Sequence, residues 1–314
     1  SEDARSLLSQ IVGTENVISS QRLYVSASPC LEVAPASADE ACEVLRLAAN
    51  KAWAVVPAGA ETWLDAGNPM RRVDLVISTR RMQRIIEHEP ADLVATAEAG
   101  MTLDTFNAEL GRAGQWLALD PPDDGRATLG GVVATGMSGA QSYGFGSSRG
   151  SVIGMRVALA DGRIIKAGGR VVKNVAGYDL CKLFTGSYGT LGLILELTFK
   201  LRPRPARTST VIAFGTLDSL MHAARATLDA RLLPVAVELL SRGVVERLSI
   251  PNEGTHPAML IRYAGMPETV AYQCKQTINL LRNDPMIASY SVFDEDASYW
   301  RGLAALPLEE AHTL

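Results

Sequence analysis

Three short segments rich in glycine, alanine and threonine carry the chemistry that this sequence suggests. They are residues 57–62 (PAGAET), residues 128–139 (beginning TLGG and ending SG) and residues 189–192 (GTLG). Turns of this composition present successive backbone N–H groups that can cradle a diphosphate. Hydroxyl groups add side-chain donors, and they come from Thr62, Thr128, Thr135, Ser138 and Thr190. Three such turns in order predict one extended, phosphate-bearing ligand.

Other common catalytic and binding motifs are missing from the sequence. It contains neither a GxxxxGK[ST] phosphate loop nor a GxSxG nucleophile turn. Residues 144–150 (GFGSSRG) approach a dinucleotide fingerprint, but the last spacing is one residue too long and a strand is predicted to follow. The four histidines are isolated and the four cysteines form no CxxC pair, so we expect no metal site.

Length and composition indicate a soluble protein of two domains. The 314 residues exceed the roughly 250 that one hydrophobic core usually serves. The net charge of −4 disfavours nucleic-acid binding. No apolar run approaches the roughly 18 residues needed to cross a bilayer, because Glu196 interrupts the best candidate, LGLILELTF. The polar start SEDARSLLSQ does not resemble a signal peptide, so we expect a cytoplasmic protein.

Helical and extended patterns alternate before the second glycine-bearing turn. Ser37 and Glu40 form a capping box, and the apolar spacing that follows predicts a helix to about Asn50. Further patterns predict strands at 53–56 and 73–78, a strand pair at 82–86 and 93–97, and a helix from Thr102 to Leu110.

Residues 125–150 contain eight of the 27 glycines. Such density weakens regular structure and suits backbone that turns or lies against a ligand. A flexible linker would have the same glycine content, but it would lack Val132, Val133, Tyr143 and Phe145. We therefore predict a folded loop that contacts the ligand.

The rest of the chain divides at a proline-containing linker. Before it, strands at 151–160 and 163–167 flank Asp161-Gly162, a strong hairpin signal, and a short helix at 179–184 precedes a strand at 193–201. Residues 201–207 (LRPRPAR) form the predicted linker. Two strand–helix–strand patterns then run over 208–240 and 258–293, which predicts a ferredoxin-like α+β domain.

In their order, the three turns resemble the FAD-binding domain shared by vanillyl-alcohol oxidase, D-lactate dehydrogenases and related PCMH-type flavoproteins. The family's first loop, Pro-x-Gly-Gly-Gly-Thr, is matched in part by residues 57–62. Its second block, Thr-Ile-Gly-Gly-x-Val-Ala-x-Asn-x-x-Gly followed by Tyr-Gly, resembles 128–144, and the run at 189–196 also fits. Residues 173–180 (KNVAGYDL) and 182–187 (KLFTGS) are similar to the FAD-binding subunits of bacterial glycolate oxidases. The resemblance covers about residues 25–202.

The resemblance implies an α+β fold, with a two-subdomain PCMH-type FAD-binding domain over 1–203 and a smaller ferredoxin-like cap domain over 208–314. It implies a non-covalent FAD, because covalent members place a flavin-linking histidine near the position of Glu61. Backbone amides around Gly59, Gly130 and Gly131 would hold the diphosphate. The residues assigned to the cofactor are Pro57, Ala58, Gly59, Ala60, Glu61, Thr62, Thr128, Leu129, Gly130, Gly131, Thr135, Ser138, Gly139, Tyr143, Gly189, Thr190, Gly192 and Ile194.

The implied activity is oxidation of a small 2-hydroxyacid such as glycolate, with hydride transfer to the flavin. The implied partners are a second flavoprotein subunit and an iron–sulfur subunit. A complex of this kind would make the chain cytoplasmic and peripheral at the inner membrane. Catalytic residues stay unassigned, with Arg262, Tyr263 and Arg301 as candidates that packing or surface roles also explain. The predicted cap leaves little chain to return to the large domain, so the sequence leaves open whether Leu314 is the natural end or a segment is missing.

Three departures from the family pattern leave alternatives open. Ala60 and Glu61 replace loop glycines, and Gly136 replaces the asparagine of the second block. A carboxylate about 6 Å from a diphosphate charge costs roughly 3 kcal/mol at an effective dielectric near 20, which lowers the expected FAD affinity. The histidine-rich segment of the catalytic flavoprotein subunit has no counterpart. The alternative to a catalytic component is therefore a non-catalytic assembly subunit that supports a catalytic flavoprotein paralogue and has weak or no FAD binding of its own. A third hypothesis, a stand-alone NAD(P)H-dependent reductase, lacks a visible nicotinamide site.

Overall fold

The fold is known from a computed structural model that describes residues 2–20, 30–66, 68, 70–169, 178–251, 256–294 and 297–311. Most of the glycolate-oxidase-like segment 173–180 lies outside the described residues. The chain forms two compact units. The first comprises Ser1–Leu117, Gly125–Met137 and Ser147–Arg202, and the second comprises Ala118–Asp124, Ser138–Gly146 and Pro203–Leu314.

Helices and strands alternate along most of the chain. In chain order they are α1 (Glu2–Val12), β1 (Val17–Ser19), β2 (Leu31–Val33), α2 (Ala38–Asn50), β3 (Val55–Ala58), β4 (Leu75–Ser78), β5 (Ile85–Glu89), β6 (Val94–Glu98), α3 (Leu103–Gly111), β7 (Gln115–Trp116), α4 (Leu129–Thr135), α5 (Ser142–Phe145), α6 (Ser148–Ser151), β8 (Val152–Ala158), β9 (Ile164–Gly168), α7 (Leu180–Phe184), β10 (Leu193–Lys200), β11 (Arg202–Pro203), β12 (Arg207–Gly215), α8 (Leu217–Asp229), β13 (Ala236–Leu240), α9 (Arg242–Arg247), β14 (Ala258–Gly265), α10 (Pro267–Arg282), β15 (Ile287–Asp294) and α11 (Ala297–Ala311). Short 3-10 turns lie at Thr14–Asn16 and Pro90–Asp92.

The first unit contains a four-stranded sheet in the order β1-β2-β4-β3. Strand β3 pairs in parallel with β4 and lies at the edge of the sheet. Pro57 is inside this strand, although the sequence predicted that the strand would end there. An edge position explains the difference, because the missing N–H of proline leaves no gap in a hydrogen-bond ladder on the open side. As a result, the first glycine-bearing turn leaves directly from a fixed strand.

A five-stranded antiparallel sheet completes the strand framework of the first unit, in the order β5-β6-β10-β8-β9. The predicted hairpin at Asp161-Gly162 joins β8 to β9, and Gly162 adopts the left-handed φ of 75° that this turn requires. The predicted cap of α2 is also present, since the Ser37 hydroxyl accepts a hydrogen bond from the Glu40 N–H. The third turn, residues 189–192, leads directly into β10 of this sheet.

The glycine-rich segment differs most from the sequence prediction. We predicted a loop, but residues Leu129–Thr135 form helix α4. The Thr128 hydroxyl caps the helix by accepting a hydrogen bond from the Gly131 N–H at 3.2 Å. Gly136 ends it with a left-handed φ of 69°. Good caps at both ends thus offset the low helix propensity of Gly130 and Gly131.

The second unit contains a four-stranded antiparallel sheet in the order β13-β14-β12-β15. This order, with helices α8 and α10 as crossovers, is the ferredoxin-like arrangement, which confirms the predicted fold class. Side chains of β12 alternate between two buried clusters, with Val211 in one and Ile212 in the other. Both faces of the sheet are therefore buried.

The domain boundaries at 203 and 208 stay a prediction. The second compact unit also takes in Ala118–Asp124 and Ser138–Gly146, which precede the predicted linker. Glycine makes one of these contacts possible, since a Cβ on Gly144 would lie 2.6 Å from the Val235 Cα. None of the helices in the described part of the chain is long and apolar enough to span a membrane.

Candidate functional site

The three glycine-bearing turns line one groove in the first unit. The groove encloses about 690 Å³, including the solvent at its mouth. The predicted residues that line it are Pro57, Ala58, Gly59, Ala60, Glu61, Thr62, Thr128, Gly130, Gly131, Thr135, Gly189, Gly192 and Ile194. It is also lined by Trp63, Leu64, Thr79, Ala99, Ala134, Tyr188 and Leu193, which the sequence did not single out. The structure thus brings together segments that are up to 137 positions apart, from 57 to 194.

Glycines let the turns pack directly against one another. A Cβ on Gly59 would lie 2.1 Å from the Thr128 Oγ1, so the first turn touches the cap of α4. A Cβ on Gly189 would lie 3.0 Å from the Pro57 Cγ, so the third turn touches the first. Gly189 also has a left-handed φ of 72°. Since any larger side chain would separate the turns, close packing explains glycine at these positions.

Backbone N–H groups of the first turn are available to a ligand. Within the part of the chain that the structure describes, the N–H groups of Gly59, Ala60 and Thr62 donate no hydrogen bond. The Gly130 N–H, in contrast, donates to the Ala99 carbonyl at 2.8 Å, and the Gly131 N–H donates to the Thr128 Oγ1. The expected use of Gly130 and Gly131 as amide donors is therefore corrected, because the fold already uses both groups. Because Gly130 and Gly131 have no side chain, their backbone can lie close to Ala99 and to the Thr128 hydroxyl.

Among the described residues, the groove contains a buried hydroxyl without a hydrogen-bond partner, that of Thr62. The Thr135 Oγ1 donates to the Gly131 carbonyl at 2.8 Å, and the Thr79 Oγ1 donates to the Ala58 carbonyl. The Thr62 Oγ1 is buried and has no hydrogen-bond partner among the described residues. An unsatisfied buried hydroxyl is costly, so its position in a groove lined by free N–H groups indicates a ligand with acceptor atoms.

Two groove residues adopt a left-handed backbone that favours glycine. Glu61 has a φ of 60° and Tyr188 has a φ of 54°. Glu61 therefore has a backbone conformation that suits the glycine of the family pattern described above. Glu61 is also the charged residue among those that line the groove. Its charge helps to raise the pKa of the buried Cys30 thiol, although burial of that thiol is the larger cause.

Five predicted cofactor residues do not line the groove. Leu129 is fully buried in the core, and Thr190 lines an adjoining cavity while its Oγ1 donates to the Ser187 carbonyl at 2.6 Å. Ser138, Gly139 and Tyr143 belong to the second unit. Of the residues that were missed, Trp63 directly follows the first turn and Ala99 follows β6, so position after a strand or turn would have been the usable signal.

The candidate catalytic residues lie in the second unit, mostly buried. Tyr263 is fully buried, its hydroxyl lies 2.7 Å from the Thr277 Oγ1, and burial raises its pKa to about 12. Arg262 is 8% exposed, and its guanidinium carbon lies 5.5 Å from the centroid of the Trp300 ring. Arg301 is exposed on α11. The structure therefore gives Tyr263 and Arg262 packing partners within their own unit.

Comparison with known proteins finds an FAD binding domain in this chain. Residues 29–168 match the family described as FAD binding domain. The chain is 32% identical over 287 residues to the glycolate oxidase subunit GlcD of Bacillus subtilis (strain 168), covering 86% of this chain and 61% of that protein. It is 44% identical over 130 residues to the glycolate oxidase subunit GlcE of Escherichia coli (strain K12), covering 41% of this chain and 37% of that protein. The chain thus spans between about one third and two thirds of the length of these relatives.

The fold has solved counterparts. An alkyldihydroxyacetonephosphate synthase structure superposes with a TM-score of 0.78 at 16% identity, covering 98% of this chain and 64% of that one. At this identity the likeness concerns the fold alone. The matched segment and the relatives place residues 29–168 in the FAD binding domain family, and the solved counterparts support the fold alone.

Proposed function

We propose that this chain is the FAD-binding subunit of a heteromeric oxidase or dehydrogenase of 2-hydroxyacids, with glycolate as the first substrate to test. The observation that carries the proposal is the groove: Gly59, Ala60 and Thr62 line it, and among the described residues their N–H groups and the Thr62 hydroxyl have no hydrogen-bond partner. Supporting it, two relatives are named as glycolate oxidase subunits.

The residues present fit an FAD diphosphate. The first turn supplies N–H donors and the Thr62 hydroxyl, while the close packing of Gly59 on Thr128 and of Gly189 on Pro57 fixes their positions. Preorganised donors of this kind stabilise a negative charge without reorganisation. When bound, FAD supplies the hydride acceptor for oxidation of the substrate. Non-covalent binding, with an affinity lowered by Glu61, is part of the proposal.

A supporting role without catalysis by this chain is the second candidate. The observation that favours it is the burial of Arg262 and Tyr263, whose polar atoms are engaged within the second unit. In this reading the chain binds FAD and stabilises a catalytic flavoprotein partner. In both readings the proposed partners are a second flavoprotein subunit and an iron–sulfur subunit, and the proposed location is cytoplasmic, at the inner membrane through the complex.

A flavin titration followed by substrate reduction tests the proposal. We expect the purified chain to bind FAD and quench its fluorescence, and the Thr62→Val variant to bind it more weakly. Anaerobic glycolate is then added with and without the two proposed partner subunits. Bleaching of the flavin by the chain alone would establish its own catalysis, and bleaching only with partners would establish the supporting role. Absence of FAD binding with and without partners would refute the proposal.

A further inference from the structure

Tyr188 combines a strained backbone with an exposed aromatic side chain. It directly precedes the third glycine-bearing turn, lines the groove and is 49% exposed. Its φ of 54° lies in the left-handed region, where bulky residues other than glycine are rarely found. Residues held in such conformations cluster at sites that bind ligands. The position of Tyr188 therefore calls for a contact that offsets its strain.

The surrounding fold holds the Tyr188 backbone in this conformation. The Tyr188 N–H donates to the Ala134 carbonyl at 2.7 Å, and the Gly186 N–H donates to the Val133 carbonyl at 3.0 Å. Both acceptors lie in α4, and all four residues belong to the first unit. The segment before the third turn is thus attached to α4 at two points, so the strained conformation is fixed by neighbouring structure.

The Tyr188 side chain has no polar or aromatic partner among the described residues. Its ring makes no contact with another aromatic ring or with a cation, and its hydroxyl forms no hydrogen bond there. Aromatic side chains contribute most when their rings are buried against other groups. In the part of the chain that the structure describes, no such contact accounts for the placement of this ring.

Trp63, a second aromatic residue of the groove, is placed differently. It is only 9% exposed, and a Cβ on Gly131 would lie 3.8 Å from its Cζ3, so the Trp63 ring packs against the start of α4. Of these two aromatic residues, Tyr188 is therefore the one whose ring surface is accessible to a ligand.

We propose that the ring of Tyr188 stacks on a flat heterocycle of the bound dinucleotide, and that its strained backbone conformation is kept for this contact. The inference rests on the proposed function. The free N–H groups of the first turn suit the diphosphate, which leaves the adenine and the isoalloxazine of FAD without an assigned contact. Each of these rings has a π face on which an aromatic side chain can stack.

Titration of FAD into three variants tests the contact. Tyr188→Leu removes the ring but keeps a large side chain at the same φ, so its Kd for FAD should rise about tenfold, as expected for loss of one stacking contact. Tyr188→Phe keeps the ring and should stay within about twofold of the unsubstituted chain. Tyr272→Leu is the matched control, because Tyr272 is a 59% exposed tyrosine on α10 of the second unit, and its Kd should not change. Equal affinity of Tyr188→Leu and the unsubstituted chain would overturn the proposal, as would an equal loss in Tyr188→Phe.

Fragments of FAD identify the ring that Tyr188 contacts. ADP carries the adenine and FMN carries the isoalloxazine, and titration calorimetry measures both. A loss of ADP affinity in Tyr188→Leu with unchanged FMN affinity would assign the contact to adenine, and the reverse would assign it to the isoalloxazine. Unchanged affinity for both fragments would overturn the stacking contact even if FAD binding falls.

Stability separates this role from a structural one. Tyr188→Gly removes both the ring and the strain, so the FAD-free variant should unfold at a higher urea concentration and yet bind FAD about tenfold more weakly. A residue that served only the fold would change stability and affinity in the same direction. If the unsubstituted chain binds no FAD with or without its partners, the proposed function fails. If it binds FAD and Tyr188→Gly binds equally well, only the role of Tyr188 fails.

Discussion

Replacing Gly59 with alanine should disrupt the contact that joins the first two turns. The new Cβ would lie 2.1 Å from the Thr128 Oγ1 and 3.1 Å from both its Cβ and its Cγ2, well inside van der Waals contact. Thr128 must move, and it then loses its hydrogen bond from the Gly131 N–H. Overpacking costs about 1–3 kcal/mol, and loss of a helix cap costs about 1 kcal/mol. We therefore expect the free energy of unfolding to fall by about 2–4 kcal/mol.

Urea denaturation of a double-mutant cycle measures this coupling. In a Thr128→Ala background the Oγ1 and Cγ2 atoms are gone, so the same Gly59→Ala change should cost about 1–2 kcal/mol less. Gly150→Ala is the matched control, because no atom lies within 4 Å of its Cβ position and it lies in α6. Its stability should stay within about 0.5 kcal/mol of the unsubstituted chain. Additive effects of the Gly59 and Thr128 changes would refute the packing argument.

Three further predictions follow from the groove and the second unit. Glu61→Gly should raise the free energy of unfolding by about 1 kcal/mol in urea denaturation, because it relieves a left-handed φ of 60°. In a flavin titration it should also tighten FAD binding more than Glu61→Gln, which removes only the charge. Thr62→Val should leave the FAD-free chain as stable or slightly more stable, because the Thr62 hydroxyl has no partner among the described residues. Thr79→Val should lower the free energy of unfolding by about 1 kcal/mol, because it removes the hydrogen bond to the Ala58 carbonyl. Equal effects of the two variants in urea denaturation would contradict the view that the Thr62 hydroxyl is unpartnered. Burial raises the pKa of Tyr263 from about 10 to about 12, so its contribution to stability is present below pH 10 and is lost as the pH rises towards 12; Tyr263→Phe should abolish that part of the alkaline loss in denaturation experiments at increasing pH.

The sequence located the turns but not their secondary structure. Periodic apolar spacing and side-chain caps predicted α2 and α3, because those signals act within a few residues. Helix α4 was missed because glycine content argued for a loop, whereas the caps at Thr128 and Gly136 decide its structure. The sequence predicts the Thr128 hydroxyl as a hydrogen-bond donor to the ligand. Threonine is also a common N-cap residue, and that property would have predicted the start of α4.

Features that depend on long-range packing were beyond sequence reasoning. The placement of Ser138–Gly146 in the second unit rests on contacts such as Gly144 against Val235, which are 91 positions apart. The hydrogen bond from the Gly130 N–H to the Ala99 carbonyl likewise depends on where β6 ends. Composition predicted that these residues bind a ligand, but it could not predict which of their N–H donors already form hydrogen bonds within the fold.

Hydrogen exchange of the chain with and without saturating FAD tests the central claim most directly. If one dinucleotide occupies the groove, hydrogen exchange of the amides of residues 58–62, 129–135 and 189–194 should slow together, with the largest change at Gly59, Ala60 and Thr62. Saturating FAD that leaves the first turn unchanged, or that protects only residues away from the groove, would contradict the claim.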